Sequence, residues 1–206
     1  MSSDIVLHTS GMAVLLIDVI NHFEFPDGQR LYRQASPIGP RIARLKARAH
    51  ELRVPVLYVN DNFGQWRSDA KSLLRYCVRP DAAGRRFVET VRPSEEDYFV
   101  LKPMHSAFYQ SPLEVLLREL RTTALVIAGL ATHSCVASTA NDADMRNFKV
   151  IVVSDCCAAR SVQEHRRALQ HIRALGHARV VPLRQLRLSR QTTVRAADRI
   201  AQTYRL

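Results

Sequence analysis

Six short runs of this sequence are apolar apart from residues at or next to their ends: "MAVLLID", "VPVLYVN", "YFVLK", "ALVIAG", "KVIVVSD" and "ARVVPL". A strand with one wet face alternates apolar and polar residues, so an unbroken apolar run predicts a strand covered on both faces. Amphipathic helical patterns lie between the runs. Doubly buried strands alternating with helices specify a parallel sheet with helices on either side. The expected architecture is α/β, a three-layer α/β/α sandwich around a six-stranded, mainly parallel sheet. At 206 residues the chain suits one such domain, and a second full domain is not expected.

Helix starts are marked by capping residues. Ser36-Pro37 reads as an N-cap followed by proline in the first turn, predicting a helix to about Arg53. Ser111-Pro112-Leu113-Glu114 predicts another, ending near Leu120, with Glu114 placed to close a capping box. Ser161-x-x-Glu164 opens a third between the last two strands. In "LSRQTTVRAADRIAQTYRL", Val194, Ala197, Ile200 and Ala201 recur at helical spacing with Arg between them. The expected division is a main domain over residues 1–182. Residues 183–206 would be a basic helical extension of the same fold unit.

The net charge of +11 raises the question of a nucleic-acid partner. From Arg160 onward eleven Arg face only Glu164 and Asp198, so nine of the excess charges sit in the last quarter of the chain. They are spaced singly, without the interleaved aromatics that stack bases. A solvated or subunit-contacting face is expected, and no nucleic acid. The apolar runs are too short to cross a bilayer, and "MSSDIVLHTSG" lacks the basic and apolar regions of a secretory signal. The expectation is a soluble, cytoplasmic protein with a small-molecule substrate, no membrane partner and a homo-oligomeric state. Cys77, Cys135, Cys156 and Cys157 do not make a disulfide framework in a chain this long. No CxxC or His-x-x-x-His pairing suggests structural zinc.

Parallel sheets place their sites beyond the carboxyl ends of the strands. Asp18 ends the first run, Lys102 ends the third, and Cys135 follows the fourth by a short turn, in the first turn of the next helix. Taken singly, each has an ordinary explanation: an Asp caps, a Lys is solvated, a Cys packs. Together they leave one edge of the sheet. A helix N-terminus and a nearby ammonium both favour a thiolate. A buried Asp with a raised pKa can take a thiol proton and later deliver it to a leaving amine. Asp18, Lys102 and Cys135 thus form a self-consistent set for acyl transfer to sulfur.

Three stretches carry a resemblance: "LLIDVINHFEFPDG", "VLKPMHSAFYQSPLEVLLREL" and "LVIAGLATHSCVASTANDADMRNFKVIVVSDCCAA". In order and spacing they resemble the isochorismatase-like cysteine hydrolase superfamily, which includes nicotinamidases and N-carbamoylsarcosine amidohydrolases. The resemblance implies a catalytic triad of Asp18, Lys102 and Cys135. It also implies a cis peptide between Leu130 and Ala131, with the Ala131 and Cys135 N–H groups as the oxyanion hole. Phe23 matches a family aromatic that walls the pocket.

The departures shape the expected chemistry. Ile20 stands where the family often has Gln. Nicotinamidases carry an Asp-x-His metal motif after the second strand, whereas here Asp61 is followed by Asn62 and Phe63. No metal and no cofactor are therefore expected. Members that hydrolyse the vinyl ether of isochorismate typically lack the cysteine. The expected activity is metal-independent hydrolysis of a C–N bond in a small amide, carbamoyl or ureide compound, through a thioester on Cys135. The alternatives are an isochorismatase-type enol-ether hydrolase and a catalytically idle member that binds a small molecule. The loop "NDNFGQWRSD" offers Asn62, Phe63 and Trp66 as substrate contacts. His105 and His133 read as wall or surface residues, and Cys156-Cys157 as packing.

Overall fold

A computed structural model describes residues 5–189 of the chain. In chain order the elements are β1 (Ile5–His8), β2 (Met12–Ile17), α1 (Gly28–Ala35), a 3-10 turn (Ser36–Ile38), α2 (Gly39–Glu51) and β3 (Val56–Asp61). Next come α3 (Ala70–Cys77), α4 (Arg85–Thr90), β4 (Tyr98–Lys102), α5 (Leu113–Glu119) and β5 (Ala124–Leu130). A π turn (Thr132–Val136) leads into α6 (Ala137–Met145), followed by β6 (Lys149–Ala158), α7 (Val162–Leu175) and β7 (Arg179–Val181). A second 3-10 turn (Leu183–Gln185) leads into β8 (Leu186–Ser189). None of the described helices is long and apolar enough to cross a membrane.

The main sheet has six strands in the order β4-β3-β2-β5-β6-β7, and every neighbouring pair is parallel. The expected α/β sheet is present and is wholly rather than mainly parallel. Side chains alternate across each strand. Val14 and Leu16 of β2 pack with Leu31, Ile42 and Leu45 from α1 and α2. Ala13, Leu15 and Ile17 face the opposite way, onto a layer holding Leu113, Ala140 and Leu169 of α5, α6 and α7. The unbroken apolar runs are thereby accounted for, since both faces of β2 lie in a core.

Chain order runs outward from β2 in one direction and from β5 in the other. The sheet therefore has its topological switch between these two strands, where crevices form at the carboxyl edge. Asp18 leaves β2 at this point and the π turn leaves β5.

Three local expectations need correction. Ser36-Pro37 does not start a helix from a loop: the Ser36 N–H still bonds to the Tyr32 carbonyl of α1, and Pro37 sits in the 3-10 turn joining α1 to α2. At Ser111 the hydroxyl accepts from Leu113 N–H, but Glu114 turns away to Arg146, so no capping box closes. The extension expected to be helical from residue 183 begins instead with the 3-10 turn and β8, which pairs in parallel with β1. The remainder of that predicted helix, including Val194, Ala197, Ile200 and Ala201, lies outside the described residues. The cap at Ser161 forms as expected, accepting from Glu164 N–H at 3.2 Å.

Gly129 lets the crevice close. Its φ is +123°, and a Cβ added there would lie 2.1 Å from the Ile17 carbonyl oxygen of β2. The β5–β6 register shifts at this point: Ile127 pairs with Val152, whereas Gly129 pairs with Cys157. Only a residue without a side chain admits both the backbone angle and the approach. Gly129→Ala is expected to lower stability by at least about 2 kcal/mol in urea unfolding. Gly64→Ala, at φ +72° with open space around it, should cost about 1 kcal/mol, from backbone conformation alone.

Candidate active site

The three residues singled out in the sequence meet at the switch point. Asp18 turns out of β2 with φ +50°, its N–H bonded to the Val59 carbonyl at 3.0 Å. The Asn60 side chain, fully buried, secures the next step by accepting from Ile20 N–H at 3.2 Å and donating to Ile20 O at 2.7 Å. One Asp18 oxygen, Oδ1, accepts from Asp61 N–H at 2.7 Å. The other, Oδ2, lies 3.0 Å from Lys102 Nζ.

Lys102 ends β4 with its side chain fully buried. Its ammonium also donates to the Met104 carbonyl at 3.0 Å and to Cys135 Sγ at 3.6 Å, and Asp61 Oδ2 lies 3.9 Å away. Three N–H donors thus meet Asp18, Met104 O and Sγ. Burial works against the ammonium, but the charges of Asp18, Cys135 and Asp61 outweigh it and hold its pKa above the usual lysine range.

Cys135 is half-buried in the π turn, between Lys102 and the cavity. That turn is anchored from behind, where the fully buried Thr132 hydroxyl meets His165 Nδ1 of α7 at 2.8 Å. Burial pushes the thiol up to about 12, the Asp18 carboxylate adds to the rise, and Lys102 pulls against it. Burial likewise raises Asp18 above the usual carboxylate range, opposed by Lys102. Burial opposes the lowering of the thiol pKa expected from the helix N-terminus and a nearby lysine.

A cavity of about 390 Å³ opens above Sγ. Asp18, Asp61 and Cys135 form its floor, and Phe25, Pro26, Leu31, Phe63 and Leu130 give it an apolar wall. Asn21, His105, His133 and Arg160 supply polar points around it. The peptide between Leu130 and Ala131 is cis, and Ala131 also lines the cavity.

Of the four residues expected to contact substrate, only Phe63 lines this space. Phe23 is 1% exposed in the core, its ring 5.3 Å and 5.7 Å from those of Tyr32 and Phe87. Phe25, two residues on, stands in the wall instead. Asn62 folds its side chain back to accept from Gly64 N–H at 2.9 Å, shaping the loop rather than facing the cavity. Trp66 is 79% exposed and away from it. Sequence reading passed over Phe25, Leu31 and Arg160. Arg160 had a usable signal, because it follows β6 at the same carboxyl edge as the other three. His105 and His133 do line the cavity.

Residues 12–184 match the family model described as the Isochorismatase domain. The chain belongs to the isochorismatase family. This family member is 38% identical over 157 residues to the uncharacterized isochorismatase family protein YaaI of Bacillus subtilis, covering 76% of this chain and 86% of that one. It is 30% identical over 196 residues to the ureidoacrylate amidohydrolase RutB of Methylobacterium radiotolerans, covering 82% and 75%. An isochorismatase-like hydrolase from Alkaliphilus metalliredigens shares its fold with a TM-score of 0.69 at 24% identity, over 86% of this chain and 94% of that one.

The opposing influences on this isochorismatase-family thiol can be separated. In Asp18→Asn the thiol should ionise at lower pH than in the wild type, because the carboxylate's charge raises its pKa. In Lys102→Ala it should ionise higher still. Thiolate ultraviolet absorbance across pH, with Cys135→Ala subtracted, reads both shifts.

Proposed function

We propose that this isochorismatase-family hydrolase is a metal-independent cysteine hydrolase that cleaves the C–N bond of a small amide, carbamoyl or ureide compound. The observation that carries this reading is the contact of one buried ammonium with both Asp18, at 3.0 Å, and Cys135 Sγ, at 3.6 Å, at the floor of an open cavity. A binding pocket gains nothing from a buried lysine held between a carboxylate and a thiol. Similarity to a ureidoacrylate amidohydrolase supports the choice of C–N bond. Phe63, standing where the nicotinamidase metal motif has His, supports chemistry without a metal.

In this mechanism Asp18 takes the thiol proton as Sγ attacks the carbonyl carbon. Lys102 stays charged and steadies the carboxylate and the forming thiolate together, in surroundings where charge is poorly screened. The Ala131 and Cys135 N–H groups receive the oxyanion. The C–N bond breaks, the amine leaves with a proton, and water hydrolyses the thioester. The apolar wall of Phe25, Leu31 and Phe63 favours a substrate with an apolar or flat portion beside its reacting group.

Ammonia or amine release from a panel of primary amides, carbamoyl amino acids and ureido acids tests this reading, with isochorismate as the contrasting substrate. Cys135→Ala should abolish turnover, and Asp18→Asn should reduce it by about 10²–10⁴-fold. Because Asp18 must be ionised to accept a proton, kcat/KM should fall on the acid side through a group titrating above the ordinary value of 3.8. Cleavage of isochorismate but of no amide would defeat the proposal.

A further inference from the structure

His105 is the cavity residue whose position this mechanism leaves unused. Its Nδ1 lies 3.9 Å from Cys135 Sγ, and its side chain is exposed at the cavity rather than packed in a core. Among the described residues the hydrogen-bond contact of its ring is with that sulfur alone. Arg160, at the rim of the same cavity, is committed elsewhere. Arg160 holds Glu164 through two nitrogens, at 3.1 and 3.2 Å, and reaches Asp27 at 3.4 Å. His133 Nδ1 lies 3.7 Å from the same Glu164 without a hydrogen bond, and the Ser134 hydroxyl, 3.9 Å from Sγ, is not a proton-transfer group near neutral pH.

The placement of His105 is built in from α6, the helix that follows Cys135. Thr139 of α6, fully buried, accepts from Ala107 N–H at 3.0 Å. Asp142, one turn further on, accepts from the Ser106 hydroxyl. Ser106 in turn accepts from Phe108 N–H at 3.2 Å. The two residues after His105 are therefore fixed to the helix that follows Cys135, and the residue before it, Met104, holds Lys102 through its carbonyl. An irregular loop gains two side-chain anchors from α6 and presents one titratable ring to the sulfur.

Asp18 is poorly placed to do all the proton transfer. Oδ1 is taken by Asp61 N–H and Oδ2 by Lys102, and the residue is buried. A departing amine and an incoming water occupy the open side, where His105 stands. We infer that His105 is a second proton-transfer residue, serving the nitrogen and the water while Asp18 serves the sulfur. This rests on the thioester reading proposed above.

The proton transfers balance. During acylation the thiol proton passes to Asp18 as the S–C bond forms, and imidazolium His105 gives its proton to the nitrogen as the C–N bond breaks. During deacylation neutral His105 takes a proton from water as the oxygen attacks the thioester, and Asp18 returns its proton to the departing sulfur. Both groups end as they began. The titratable and charged groups facing His105 are Lys102 from β4, Asp18 and Asp61 from the ends of β2 and β3, Cys135 and His133 from the π turn, and Arg160 after β6.

p-Nitrophenyl acetate tests this without knowledge of the natural substrate, because its leaving group needs no proton but its acyl-enzyme still needs water activated. His105→Gln should keep the wild-type burst of nitrophenolate, which also reports a folded site. Its steady-state turnover should fall by about 10²-fold or more, with acetylated Cys135 accumulating by intact mass. Added imidazole should restore part of the turnover. Wild-type turnover in the variant would overturn the inference, as would burst and turnover falling by the same factor. A burst that survives Cys135→Ala would instead remove the cysteine reading itself, and the role of His105 with it.

Discussion

The ammonium of Lys102 has no water to turn to. An unpaired charge buried this deeply costs several kcal/mol, so the surrounding structure must supply partners, and it draws them from separate parts of the chain. Asp18 comes from the end of β2, Asp61 from the end of β3, the Met104 carbonyl from the loop after β4, and Sγ from the turn after β5. The register that pairs Asp61 with Lys102 across β3 and β4 also brings the carboxylate of β2 within reach. The sheet edge and the chemistry are one constraint, since a shift of any of these strands would leave a buried charge without its counterpart.

The same interaction explains why so much of the centre was legible in the sequence. Doubly buried strands betray themselves by composition, and a charged residue at the end of such a strand stands out against it. Asp18 and Lys102 were visible for that reason, and Cys135 because its strand, glycine and short turn were visible too. Neither the small β1–β8 pair nor α1 announced itself. The pair joins two four-residue strands some 180 residues apart, beyond what local periodicity reports. Helix α1 begins after Asp27, which has φ +64° and makes no side-chain cap bond, so the usual start signal is missing.

The cavity wall was harder still. "NHFEFPDG" offers two phenylalanines two residues apart, and only the path of the loop decides which one meets the cavity. The chain turns through positive φ at Phe23 itself, sending that ring to Tyr32 and Phe87 and leaving Phe25 for the wall. Asn62 was read for what its amide could offer a ligand, yet the loop uses that amide for its own turn. Side chains fixed by a sheet follow from pattern, whereas those on irregular backbone follow from single dihedral angles, which composition does not encode.

The pairing of β1 with β8 carries a consequence for how the chain is made. Ile5–His8 find their partner in Leu186–Ser189, some 180 residues later, whereas β2 to β7 pair among themselves. During synthesis β1 leaves the ribosome ahead of the six strands of the main sheet and β8 after them. The catalytic edge of the main sheet can be complete while the earliest strand is still waiting, its backbone groups open to any passing edge. The clasp closes only after β8 has emerged, so the first of these strands to be made is among the last to be settled.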